Sequence, residues 1–194
     1  MKTVSSLTVL KAFVLADLIN LSRGKKRYLG EITKEELEKK VIEAKKKLSS
    51  LSRAQLERKV RNPVRLKAYT KAKWTIRTLS VKELGTWRGA GGLPISWTEG
   101  TLDATAKKVS KGLRTNSKLI RARSKRSLKS LLNGCIDVVE KEKLYPIVFA
   151  SGVGTQGRRK LHTKVKGDID DGNMRALAMA LRDKKRITVY FGKD

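Results

Sequence analysis

Apolar residues crowd most faces of a helical wheel over residues 5–22: Leu7, Leu10, Phe13, Val14, Leu18, Ile19 and Leu21. This predicts a helix covered on several sides, either by its own chain or by other subunits. The stretch RGKKRYLG breaks the pattern, and TKEE restarts it as a capping box, with Thr33 as N-cap and Glu36 reaching back from the third helical position. Leu37, Val41, Ala44, Leu48 and Leu51 follow at alternating spacings of four and three. They make a narrow seam for a partner helix, and Lys39, Lys40, Lys45, Lys46 and Lys47 lie off it. Ser52 with Gln55 repeats the capping box, and Asn62 before Pro63 heads a third helix, residues 63–84.

The stretch GTWRGAGGLPISWTEG, rich in glycine and carrying Trp87 and Trp97, reads as a long loop. Beyond it a helical pattern runs from Thr101 to Asn133, where Gly134 ends or loosens it. After Tyr145 and Pro146 the periodicity changes. IVFAS, KLHTKVKG and RITVYFG read as short strands, and DDGNMRALAMALRDKK between the last two reads as a helix. The predicted fold is therefore mainly α: a helical body over residues 1–143, bundle-like or extended, followed by a small β-β-α-β domain over residues 144–194.

Charge changes this picture. With 46 Lys and Arg against 18 Asp and Glu, the chain carries a formal +28, a self-repulsion that a polyanion would relieve. Residues 107–130, KKVSKGLRTNSKLIRARSKRSLKS, hold ten of these cations, and no acid occurs between Asp103 and Asp137. On one continuous helix Lys107, Lys111, Arg114, Lys118, Arg121, Lys125 and Lys129 fall within an arc of about 80°. Val109, Leu113, Ile120, Leu131 and Cys135 lie roughly opposite. Such a stripe is roughly 33 Å long, about one turn of duplex. Solvated helices intersperse both signs, as residues 33–48 do, so this element reads as an anchored helix with a phosphate-facing side. Lys71, Lys73 and Arg77 of the preceding predicted helix extend it. Asn and Gln are nearly absent from the stripe, so its contacts are to backbone phosphate and independent of sequence.

Other constellations carry less. GVGTQG matches the dinucleotide glycine pattern at Gly152, Gly154 and Gly157, but RRKLHTKV after it alternates like a strand, which favours a hairpin loop. Arg158 and Arg159 stand beside it. Asp168, Asp170 and Asp171 in GDIDDG suit a helix N-terminus, with Mg²⁺-dependent phosphodiester cleavage as the alternative. His162 is the sole histidine and Cys135 the sole cysteine, which excludes a disulfide framework and a Cys-based zinc site. Trp74, Trp87 and Trp97 read as packing residues rather than base platforms. No metal or cofactor is implied. The N-terminal apolar run is interrupted by Lys11 and Asp17 and lacks a small-residue cleavage site, so it reads as a retained helix, not an export signal or membrane span. Five Asn, two Gln and three Met beside 29 Lys fit the composition of heat-adapted proteins.

A basic helical body, a retained apolar N-terminal helix and a small C-terminal unit ending in DDGNMRALAMALRDKKRITVYFG resemble the major coat proteins of filamentous viruses of hyperthermophilic archaea. That resemblance implies a non-enzymatic nucleoprotein that clamps linear double-stranded DNA in an A-like form and associates with itself or a paralogous coat subunit. It would reside in the virion, assembled in the host cytoplasm, and meet membrane only through an envelope. The residues alone support sequence-independent nucleic-acid binding by a self-associating protein, cytoplasmic if not viral. A structured-RNA binder, ribosomal or other, and a metal-dependent DNA-processing enzyme are the alternatives.

Overall fold

The computed structural model describes residues 2–19, 32–150 and 165–193. The apolar N-terminal pattern forms helix α1 (Ser6–Leu18) after a short strand, β1 (Lys2–Val4). Val9, Leu10, Phe13 and Val14 are buried, as so apolar a helix requires. Their neighbours belong to the same molecule: α2 (Lys34–Ser49), α3 (Arg53–Lys59) and α4 (Pro63–Lys71). Of the two coverings the sequence left open, the chain's own helices supply this one.

The local start signals form as read. Thr33 with Glu36 and Ser52 with Gln55 are both reciprocal capping boxes, and the Asn62 side chain accepts from the Arg65 amide with Pro63 in the first helical turn. The third helix nevertheless stops at Lys71. Ala72 adopts extended backbone (φ −65°, ψ 145°), and KWTIRTLS becomes strand β2 (Lys73–Ser80). Three β-branched residues and a tryptophan favour that state. The alternation puts Trp74 and Ile76 on one face and Arg77 and Leu79 on the other.

Strand β2 pairs antiparallel with β1 and, over its whole length, with β6 (Arg186–Lys193), from Lys73↔Lys193 to Ser80↔Arg186. Strand β4 (Ile147–Phe149) runs parallel to β6 and antiparallel to β5 (Gly167–Asp171), which pairs in parallel with β3 (Leu84–Gly85). The sheet order is β1-β2-β6-β4-β5-β3. The mainly α expectation is thereby contradicted: the molecule is α+β, built on a six-stranded mixed sheet. Three strands come from residues 1–143 and three from residues 144–194, so the boundary at 143/144 runs through this sheet.

Helices cover both faces. Trp74, Ile147, Phe149 and Tyr190 pack with Phe13, Leu56 and Tyr69 of α1, α3 and α4. Leu79, Val148, Ile169, Ile187, Val189 and Phe191 pack under α2, α5 (Leu102–Thr115), α6 (Ala122–Ser130), α7 (Ile136–Lys141) and α8 (Asn173–Leu181). The C-terminal helix and last strand match their sequence patterns, and IVFAS supplies β4. KLHTKVKG lies outside the described residues except for Val165, Lys166 and Gly167. Among the described residues no helix is long and apolar enough to cross a membrane.

Candidate nucleic-acid interface

Helix α5 begins at Thr101, whose side chain accepts from the Ala104 amide, with Asp103 in the first turn where a carboxylate complements the helix dipole. Leu102, Thr105, Ala106 and Val109 are buried. Lys107, Lys108, Lys111 and Arg114 are exposed on the other side. Gly112 is also buried, because the Trp97 ring lies across it: a Cβ there would sit 2.0 Å from the tryptophan Cη2.

The helix does not continue to Asn133. It ends at Asn116 (φ −148°, ψ 44°), and a 3₁₀ turn, Ser117–Leu119, leads to Ile120 and Arg121 before α6. Thr115, Asn116 and Ser117 are three successive weak helix formers by type, and the Thr115 hydroxyl donates to the Lys111 carbonyl, which favours a break here. A second break, Leu131–Cys135, is a π-helical turn with Gly134 at φ 109°. The continuous 33 Å stripe is corrected to an elbow. Lys107, Lys111 and Arg114 lie on α5, which is about 21 Å long. Lys118 lies in the 3₁₀ turn, Arg121 stands at the N-cap position of α6, and Lys125 and Lys129 project from the helix.

What holds the elbow is buried on its inner side. Ile120 is 2% exposed. Helix α6 buries Leu128 and three serines; Ser124 donates to the Gly91 carbonyl, and Ser130 accepts from the Ile32 amide. The outer side carries Lys118, Arg121, Arg126 and Lys129 in the open and Lys125 half-buried. Lys107 pairs with Asp103 at 2.9 Å, and Lys108 donates to the Ser96 carbonyl. Among the described residues Lys111, Arg114, Lys118, Arg121, Lys125 and Arg126 have no carboxylate partner.

A groove of about 310 Å³ separates α5 from the turn between α8 and β6. Lys107, Ser110 and Arg114 line one side, Asp183 and Lys185 the other. Lys185 thus joins the cationic surface, as does exposed Lys82 in the Val81–Glu83 turn packed on α5. Sequence reasoning missed both, and it also left out Arg126, because the assumed single helix set the azimuth by which residues were selected.

Lys71, Lys73 and Arg77 are not brought to this surface. Lys71 ends α4, Lys73 opens β2, and Arg77 stacks over Phe191 with its guanidinium carbon 4.5 Å from the ring centroid. Lys73 stands about 23 Å along β2 from Ser80, the end that leads into α5's neighbour.

The three aspartates form a different kind of site. They lie in strand β5, not in a helix N-terminus, and all are buried. Arg65 donates from Nε to Asp170 Oδ2 at 2.8 Å, and the Tyr69 hydroxyl donates to the same oxygen at 2.7 Å. Arg175 Nη2 lies 2.5 Å from Asp171 Oδ2, and its Nη1 donates to the Leu144 carbonyl at 2.8 Å. Burial pushes the Asp171 carboxyl above the usual range despite Arg175. Burial opposes the Arg65 charge, but Asp170 and Tyr69 outweigh it and hold the guanidinium above its ordinary value. Asp170 and Asp171 are spent on buried arginines that tie α4 and α8 to the sheet. Among the described residues no three His, Cys, Asp or Glu side chains converge as a metal site would require.

Gly152, Gly154, Gly157, Arg158, Arg159 and His162 lie outside the described residues. Cys135 is a core thiol facing the Ile32 carbonyl. Trp74 is buried and donates to the Tyr69 carbonyl; Trp87 and Trp97 are half-buried. No family model, curated protein or solved structure matches the chain.

Proposed function

We propose that this protein is a structural, non-enzymatic nucleoprotein that coats or packages double-stranded DNA through phosphate contacts independent of sequence. The observation that carries the reading is the elbow of α5 and α6: an outer surface of Lys111, Arg114, Lys118, Arg121, Lys125 and Arg126 without carboxylate partners among the described residues, on a backbone pinned by Ile120, Ser124 and Leu128. Fixed cations without local counter-charge gain most from phosphate, because binding releases the condensed counterions of the duplex. Lys107, Lys129, Lys185 and Lys82 widen the surface. A coat protein of a filamentous virion is one form of this role, in which subunits associate along the duplex. Their contacts would have to lie outside α1 and the apolar back of α5, which are filled by the molecule's own core.

Charge reversal of Lys118 and Lys125 tests the proposal. Affinity for unrelated duplexes is expected to fall alike, by about tenfold or more, with the melting temperature unchanged. A loss confined to one sequence contradicts backbone contact. Preference for folded RNA over duplex DNA would replace duplex coating with structured-RNA binding.

A further inference from the structure

The part of the cationic set that the fold pulls away from α5 has a surface of its own. On the face of β2 that carries Lys73, Thr75 and Arg77, the cross-strand partners on β6 are Lys193, Phe191 and Val189. Toward Leu79 and Ile187 that face is roofed by helices; at the other end Thr3, Lys73 and Lys193 are exposed, with Thr75 and Arg77 half-buried between. Lys73 and Lys193 stand directly opposite each other in the antiparallel pair, an arrangement that destabilises a sheet. Among the described residues neither has a carboxylate partner, nor does Lys71 two positions before Lys73.

Arg77 is prepared for an anion. Its guanidinium lies over the Phe191 ring, and its Nε donates to Thr75 Oγ1 at 3.1 Å. Both Nη groups lack a partner among the described residues. A guanidinium fixed by stacking and one hydrogen bond, with its outer fork unused, matches the geometry of a phosphate.

We infer that the end of the β1–β2–β6 sheet at Lys73 and Lys193 is a second phosphate-binding surface, built by Arg77, Lys73 and Lys193, through which one molecule holds a second duplex segment and bridges it to the one on α5 and α6. The inference rests on the duplex-binding reading of the elbow. Lys73 and Lys193 lie about 23 Å along the strand from Ser80, with Arg77 between, whereas α5 packs on the Val81–Glu83 turn beyond Ser80 and displays its cations on the outer side of the helical layer.

The test loads the full chain onto a bead-bound 20-base-pair duplex and measures capture of a second, fluorescent duplex. Affinity for one duplex is measured separately, so failure of the elbow reading appears there. Two variants are compared with the native chain, Lys193→Glu and the double change Lys73→Gln with Arg77→Gln. Each is expected to cut capture at least tenfold while leaving single-duplex affinity within about twofold. Lys193→Glu also places opposite charges across the strand pair, so its melting temperature should hold or rise, which separates lost capture from lost folding. Undiminished capture by both variants would overturn the inference, since bridging would then come from subunit association. A parallel fall in single-duplex affinity would also overturn it, by showing one continuous footprint.

Discussion

Gly112 sits under the indole of Trp97, and its side chain is limited by that ring rather than by helix propensity. In an open helix Gly→Ala stabilises by about 0.5–1 kcal/mol. Here the added methyl meets the Cη2, Cζ3 and Cζ2 atoms of Trp97, each within 3.0 Å. Gly112→Ala is expected to destabilise by about 1–3 kcal/mol in thermal melting, the usual cost of overpacking. Stabilisation would show that Trp97 does not hold this position. Tyr69 offers a second local check. Burial raises its phenol well above the ordinary value, and the Asp170 charge adds to this, with Arg65 opposing. Burial raises Tyr190 as well. A group raised on folding contributes stability that is full below its unfolded value and is lost as pH climbs through the folded one. Stability should therefore decline above about pH 10, the unfolded tyrosine value. Followed by near-ultraviolet absorbance, Tyr69 and Tyr190 are expected to titrate only as the protein unfolds at alkaline pH. Ordinary midpoints for Tyr69 and Tyr190 would contradict their burial. Neither Gly112 nor Tyr69 was legible as a constrained position, because each is constrained by a residue brought up in the fold.

At the scale of elements, capping chemistry was readable and element length was not. Thr33, Ser52 and Asn62 start their helices as their side chains dictate, since an N-cap acts within four residues. The helix expected over 63–84 failed at Ala72 because strand pairing with β6, more than a hundred positions away, overrides a local period. The basic helix failed more mildly. Its cations and their apolar backing were legible; Thr115-Asn116-Ser117 was the missed signal that bends it. The aspartates of β5 were misread for a related reason: Asp170's partner Arg65 comes from α4, more than a hundred positions away. Removing that partner by Arg65→Ala leaves Asp170 buried without its guanidinium and is expected to cost about 3–5 kcal/mol in urea denaturation. Replacing the pair together, Arg65→Met with Asp170→Leu, should cost markedly less. A double change as damaging as the single one would show that the network holds α4 through something other than charge pairing.

For the whole molecule, composition was the most informative feature of the sequence, and topology the least. The charge of +28 is the feature from which the proposed polyanionic partner follows, and a net charge can be read from the sequence without knowing the fold. The mixed sheet was hidden because its longest pairing, β2 with β6, joins the two halves assigned to separate units. The central claim is that cations of the elbow neutralise duplex phosphates without reading bases. The measurement that tests it most directly is affinity for two unrelated duplex sequences as a function of salt. With about six elbow cations engaged, log affinity should fall against log salt with a slope near −5, equal for both sequences. A slope near zero, or affinities differing tenfold or more between the sequences, would contradict it.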